Sequence, residues 1–559
     1  MSEKNGVISG KFKLIIIGAV ILVAAIIAAV LLYNPDISVP GKYRTIQQAI
    51  EAASDGDVIV VEPGVYYEQI NFMGKEITLR STDPDNVEVV EATILDGRKR
   101  GSVVTFNSGE GQGAVLSGFT ITGGVGTLEV LEHQYDGEDI VNEGYYGGGV
   151  LVTGNSSPTI TKNIIRGNSV DLDGGGIAVQ ENSNPEITGN TFENNSAFNG
   201  GAISIWQSSP LIEDNQFENN QAGYLGGAIL VDYDSSPVIN DNEIFDNGST
   251  SGGAIAVWYG NPVISANSIH NNSAIWYGGG IAVFDSSPSI DGNDISRNSA
   301  TNNGGGIAVA ENSSPIISNN IISRNYTEEN GGGIAVVEGS APLILDNDIS
   351  ENAVLFGGGG IYIYDSSAEV SGTNLSGNLV QQDGGGIALL AGSTLIIGNS
   401  IIDDNTAGRA GGGLVIGDGS TVTIEDCTIT GNKAITGGAI ISQASESTVL
   451  RTIISDNIAQ AGSGGGVFLM VNSSGDFRQC DFIGNQAAEF GGGMVVFDES
   501  MAILRGNDFT GNEAQMGGAY IGFGDASIDI ADPDDNTYNN NVPEDTDPAQ
   551  EEDETNEEE

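Results

Sequence analysis

From about Gly147 onward, apolar residues recur in short pairs set among glycines and small polar residues. The sharpest copy is Gly304-Gly305-Gly306-Ile307-Ala308-Val309. The first apolar residue after each glycine group falls at Val150, Ile177, Ile203, Ile229, Ile255, Ile281, Ile307, Ile334, Ile361, Ile387, Leu414, Ile440, Val467, Met494 and Tyr520, in steps of 26 or 27 residues. A fixed period of this size predicts a solenoid, whose units bury their apolar faces only by stacking on one another. Each unit reads Gly-Gly-Gly/Ala-Ile-x-Val, then Ser-Ser-Pro-x-Ile, then Asn-x-Ile-x-x-Asn. Apolar residues two apart have strand period. Three such pairs per unit predict three short strands per coil. Pro158, Pro185, Pro210, Pro237, Pro288 and Pro315 each precede a pair, where a strand's first residue tolerates the missing donor. Glycine triplets and β-branched pairs oppose a helical repeat.

One polar column runs through the repeats. Asn168, Asn195, Asn220, Asn247, Asn272, Asn298, Asn325, Asn352, Asn378, Asn405, Asn432, Asn457, Asn485 and Asn512 each follow an apolar position by three residues. Identical amides on stacked parallel strands can form a ladder, and asparagine also suits the turn. Both roles are structural.

These units resemble the right-handed parallel β-helix repeats of the pectate-lyase superfamily, close to the NosD-like right-handed β-helix region proteins. Phe192-x-x-Asn195 leading to Gly200-Gly201-Ala202-Ile203, and Phe509-x-x-Asn512 leading to Gly517-Gly518-Ala519, are also similar to the motifs of polymorphic outer-membrane proteins. Tyr43 to Ala53, Gly56-Asp57 and Pro63 to Tyr66 match the way many such helices begin. The resemblance implies an all-β fold, a right-handed parallel β-helix of about fifteen regular coils. It implies little about activity, because one fold hosts many.

Leu14 to Tyr33 is apolar and uncharged, and Lys4, Lys11 and Lys13 precede it. About twenty such residues span a bilayer. The run is longer than a signal-peptide core and lacks a small-x-small end. It therefore reads as an uncut anchor with the bulk of the chain outside the membrane. Thr45 to Ala53 predicts a short helix that caps the first coil. Gly123 to Tyr146 is acidic, contains His133 and breaks the rhythm, which predicts an inserted loop. The chain then divides into a cytoplasmic N-terminus (1–13), a transmembrane anchor (14–33), a cap with irregular coils and the loop (34–146), the regular β-helix (147–530) and a disordered acidic tail (531–559).

Charge narrows the partners. Lys plus Arg number 19 against 75 for Asp plus Glu, a formal net charge of −56. This opposes nucleic acid and anionic surfaces as partners. Cys427 and Cys480 lie two coils apart, about 10 Å at the usual strand spacing, too far for a disulfide. They are expected as free, buried thiols.

Candidate chemistry sits just after each glycine strand. The residue between the two apolar positions is usually alanine, and the third residue on is often aromatic. Trp206, Tyr233, Trp258, Tyr259, Trp276, Tyr277 and Phe284 are thus expected to line an outward groove over an alanine floor, on which sugar rings stack. The next slot carries Asp285, Glu311, Glu338 and Asp365 in four successive coils. Such a carboxylate ladder is a candidate Ca²⁺ site or a solvated stripe. The catalytic sets of the pectate-lyase superfamily are not evident. The only histidines are His133 and His270, no His-Gly or Arg-x-Lys motif occurs, and Asp403-Asp404 occupies a turn slot. No catalytic residue is assigned, although Asp232 and Asp234 are the acids nearest the groove. The expectation is a membrane-anchored extracellular protein that binds polysaccharide or surface glycan. A polysaccharide lyase or glycoside hydrolase is the alternative, and a structural stalk a third.

Overall fold

A computed structural model describes residues 37–135, 138–530 and 535–543, with side chains described outside 132–140. The chain winds into an all-β parallel solenoid of about 17 turns. Three sheets run its length. The glycine sheet stacks Ile177–Val179, Ile203–Trp206, Ile229–Asp232 and their equivalents in register, with Ile177 opposite Ile203 and Ile203 opposite Ile229. The proline sheet stacks Glu186–Thr188 on Leu211–Glu213, and the asparagine sheet stacks Thr191–Glu193 on Gln216–Glu218. Every repeated pair of the sequence is therefore a strand. A fourth, 12-stranded ladder of very short strands such as Ser196–Ala197 joins the asparagine turn to the next glycines. Only two residues long in most coils, it has no period for the sequence to display.

The expected fifteen coils are the regular ones. Two more precede them, at Ile70–Asn71 and Val104–Phe106, and pair onward to Val150. They lack the glycine triplet and are the irregular coils expected within 34–146. The other end corrects a boundary as well. Thr537–Asn539 pairs with Asp508–Thr510, so the solenoid extends past residue 530 into the stretch read as tail. Residues 1–36 and 544–559 lie outside the described residues, and with them the predicted anchor at 14–33. Among the described residues no helix is long and apolar enough to cross a membrane.

Inside, alternation puts Ile, Val, Leu and Phe of all three sheets into one continuous core at zero exposure, with Phe192 stacked on Phe217 at 4.7 Å. The asparagine column is a satisfied amide ladder. Asn195 Nδ2 donates to Asn220 Oδ1 at 3.0 Å and to the Ile165 carbonyl at 2.8 Å, while its Oδ1 accepts from Asn168 Nδ2 at 3.1 Å. A second column runs from Asn163 to Asn347, then continues as Thr373, Ser400 and Cys427. Cys427 and Cys480 are free and buried in that slot, as expected. A third ladder of serines was hidden in the Ser-Ser-Pro punctuation: the Ser183 N–H donates to Ser208 Oγ at 3.2 Å, and so on along the turn. The glycines permit close stacking. A Cβ on Gly305 would come within 2.6 Å of the Gly332 and Tyr326 carbonyl oxygens.

The cap helix is Ile46–Ala52, with the Thr45 hydroxyl accepting from the Gln48 N–H at 3.2 Å and Ile46, Ala49 and Ile50 buried on the first coil. A second short helix, Val87–Ala92, was not foreseen. The expected inserted loop is instead an ordered antiparallel hairpin, Thr127–Tyr135 against Glu138–Tyr146.

Candidate functional site

The outer face of the glycine sheet forms a trough. Its floor is the residue between the two core positions: Leu151, Ala178, Ser204, Leu230, Ala256 and Ala282, all buried although they point away from the core. Small side chains there leave room for something wider to lie on top. One rim is the residue after the second core position. Backbone register places Trp206, Asp232, Trp258 and Phe284 side by side in four consecutive coils. The other rim is the residue before the glycines, where bridges link Tyr146, Asp173 and Asn199, and in later coils Tyr277, Asn303 and Asn330. Tyr277 meets Phe284 edge-on at 5.6 Å, so the two rims face each other across the floor.

The predicted aromatics largely assemble, but not as free rings. Trp206 is 8% exposed and Phe284 6%. They point outward yet are covered by neighbours: Trp206 packs with Leu131, Tyr146, Leu151 and Ala178, and Phe284 with Leu230, Ala256, Ala282 and Ala310. The expectation of an outward groove with open rings is therefore corrected at these two positions, because the hairpin and the facing rim bury them. Tyr233 stacks on Trp206 at 6.1 Å and Tyr259 on Trp258 at 5.6 Å. Trp258 is half-buried, and its Nε1 has no hydrogen-bond partner. Trp276 is 49% exposed and belongs to the neighbouring short ladder, outside this group.

Two carboxylates stand among these rings. Asp232 accepts from the Tyr233 N–H at 2.8 Å, and Asp173 accepts from Asn199 Nδ2 at 3.0 Å. Both residues keep some open surface but are recessed among protein atoms. Burial pushes Asp173 up to about 7, opposed by the Asn199 amide and reinforced by the charge of Asp232. Burial likewise pushes Asp232 up to about 7 against the Tyr233 N–H. The Tyr146 hydroxyl is held above its ordinary value by burial and then by Asp173, Asp232 and Glu129. No lysine or arginine occurs between Arg166 and Arg297. These acids therefore keep their protons through most of the acidic range and exchange them near neutrality. Close by, Gln180 is 2% exposed with its Oε1 unpartnered, in the rim slot next to Trp206.

The family described as "Right handed beta helix region" matches at residues 101–262, 148–299, 248–372, 278–402 and 359–542, which overlap to cover most of the chain. This chain belongs to the right-handed β-helix region family. Among solved structures, a mutant of the PL6 family alginate lyase AlyGC aligns over 88% of this chain and 98% of its own at 11% identity, with a TM-score of 0.17. A likeness that loose says nothing about activity. No curated protein matches the chain.

Within this β-helix the carboxylate ladder keeps its slot. Asp285, Glu311, Glu338 and Asp365 all take left-handed turn conformations, φ between 43° and 57°. Burial and then Asp285 raise Glu311. Tyr277 donates from its hydroxyl to Glu338 at 3.1 Å. Among the described residues no three His, Cys, Asp or Glu side chains converge as a metal-binding group. Asp234 is an exposed turn residue, which leaves Asp232 as the acid that borders the trough. Asp173 and Asn199 escaped the sequence reading, although the column before each glycine group was there to be read.

Proposed function

We propose that the trough over coils 147–285 binds a neutral polysaccharide. The observation that carries this reading is the in-register run Trp206–Asp232–Trp258. Coils spaced about 4.8 Å apart present the pocket-lining edge of Trp206, a hydrogen-bonding acid and the half-buried ring of Trp258 at nearly the interval of successive sugar units. Aromatic faces supply apolar stacking area, and the polar groups between them fix orientation. A run of 130 residues without lysine or arginine disfavours uronate or sulfated chains, whose charges would meet Asp173 and Asp232 with no cation between. The predicted anchor at 14–33 would hold this surface outside a membrane, as an adhesin or cell-envelope component. The test is affinity for neutral and anionic oligosaccharides of equal length. Tighter binding of anionic chains would sink the reading.

The raised carboxyls favour a second reading, hydrolysis in the same trough. Asp173 and Asp232 both exchange protons near pH 7, so around that pH one could donate to a leaving oxygen while the other, ionised, activates water. Release of reducing ends from a bound glycan, lost in Asp232→Asn with binding retained, distinguishes hydrolysis from binding alone.

A further inference from the structure

The hairpin does more than decorate the solenoid. Its nine residue pairs are in continuous antiparallel register. Leu131, 4% exposed, packs against Leu151, Ala178 and Trp206, with Leu172 beside them. The hairpin therefore crosses the floor at the first coils of the trough and shuts that end. In the other direction no such crossing is present among the described residues; the floor runs on through Leu230, Ala256 and Ala282 under Trp258 and Phe284.

Beside the crossing, on the turn side of the Trp206 rim, lies an open pocket of about 430 Å³ lined by Val130, Asn155, Glu181, Asn182, Trp206 and Gln207. That is within the range of small-ligand sites, about 300–1,000 Å³. Three of its six linings are amides, which both donate and accept hydrogen bonds. Glu181 is held there through one oxygen, Oε2, by the Thr153 hydroxyl at 2.7 Å and the Gly154 N–H at 3.2 Å, leaving Oε1 outside those bonds. Amides, a fixed carboxylate and one indole face suit a polyhydroxylated ring rather than an apolar or anionic group.

We infer that this cavity is a terminal subsite: the hairpin makes the trough take the end of a neutral glycan chain, with its last sugar unit against Trp206 and the following units running out over Asp232 and Trp258. The inference rests on the neutral-glycan reading above and adds the direction and the stop. A chain blocked at the relevant end cannot seat its last unit, whereas an open groove accepts the middle of a chain as readily as its end.

The experiment measures binding of the full chain to cello-, xylo-, manno- and maltohexaose by calorimetry. Each is used free, blocked at the reducing end, and blocked at the non-reducing end. The expected result is binding of at least one free hexaose, weakened at least ten-fold by blocking one end. Val130→Trp, which fills the cavity from an exposed position on the hairpin, should weaken the free hexaose by a similar factor. Gln207→Ala tests the facing wall without touching the hairpin. If free and blocked forms bind alike, and both are weakened by Trp258→Ala, the trough binds glycan but the terminal subsite is wrong. If no hexaose binds, the neutral-glycan reading falls and the subsite with it.

Discussion

Asp232 and Ala310 occupy the same rim slot three coils apart, in strands of identical register. The backbone around them is the same, with the same glycine approach, amide ladder and isoleucine core. Yet the early coils carry Trp206, Asp232 and Trp258, while the later coils carry Ala310, Val337, Tyr364, Leu390, Phe497 and Phe523 in that slot, aromatic in places but without an acid. The facing rim differs in a related way. Asp173 accepts from the Asn199 amide, whereas Asp383, in the equivalent slot, is paired with Arg409. The later coils show that the solenoid needs no acid at either position. Leaving two carboxylates recessed and without a cation works against stability at neutral pH. Recessed acids without a cation beside them, in the early coils, fit the binding proposed there, as the kind of local inconsistency that functional sites show.

The largest effect should fail to distinguish the two regions. Asn220 and Asn378 belong to the same ladder, each donating to the next amide at 3.0 Å. Replacing either with Ala strands buried partners and should cost about 2–4 kcal/mol, seen as earlier denaturant unfolding. A much smaller loss at one of them would mean that the coils are not built alike. Next in size is a difference confined to the early region. Trp258→Ala should weaken neutral-glycan binding about ten-fold, in keeping with the loss of one stacked ring. Phe497→Ala, at the matching slot near the far end, should leave binding unchanged.

Smaller still is a pH effect with a definite sign. The folded state holds Asp173 and Asp232 near 7, against an ordinary value of 3.8. Between these values the folded chain binds more protons than the unfolded one. Stability should therefore fall as pH rises from about 4 to 7 and level off above that. In Asp232→Asn the decline should be shallower, by on the order of a few degrees in melting temperature across the window. An unchanged slope would mean that Asp232 titrates normally. Smallest of all, excess Ca²⁺ against chelator should leave the melting temperature unmoved, because Asp285, Glu311, Glu338 and Asp365 belong to no converging metal-binding group. A rise would restore the ladder as a cation site.

The fold was legible because each structural requirement repeats. A glycine that must admit a neighbouring carbonyl, an amide that must meet its copy, and an isoleucine that must fill the core recur at fixed spacing. The elements that escaped do not repeat: the helix Val87–Ala92, the hairpin and the closing strand Thr537–Asn539. The site was half legible. Trp206 and Trp258 stand out as rare residues in a common slot. Their burial depends on the hairpin and on the facing rim, which sequence spacing does not bring together. Asp173 sits 59 residues before Asp232, and only the stacked coils make the two acids neighbours.

The central claim is that glycan binding belongs to the early trough and not to the solenoid at large. Amide hydrogen exchange on the full chain, with and without the tightest neutral hexaose, tests it directly. Slowed exchange is expected in the strands Ile203–Trp206, Ile229–Asp232 and Ile255–Trp258 and in the hairpin strand Thr127–Tyr135, with the strands Ile387–Leu390 and Leu414–Ile416 unchanged. Protection spread evenly along the glycine sheet, or centred on the later coils, would contradict it.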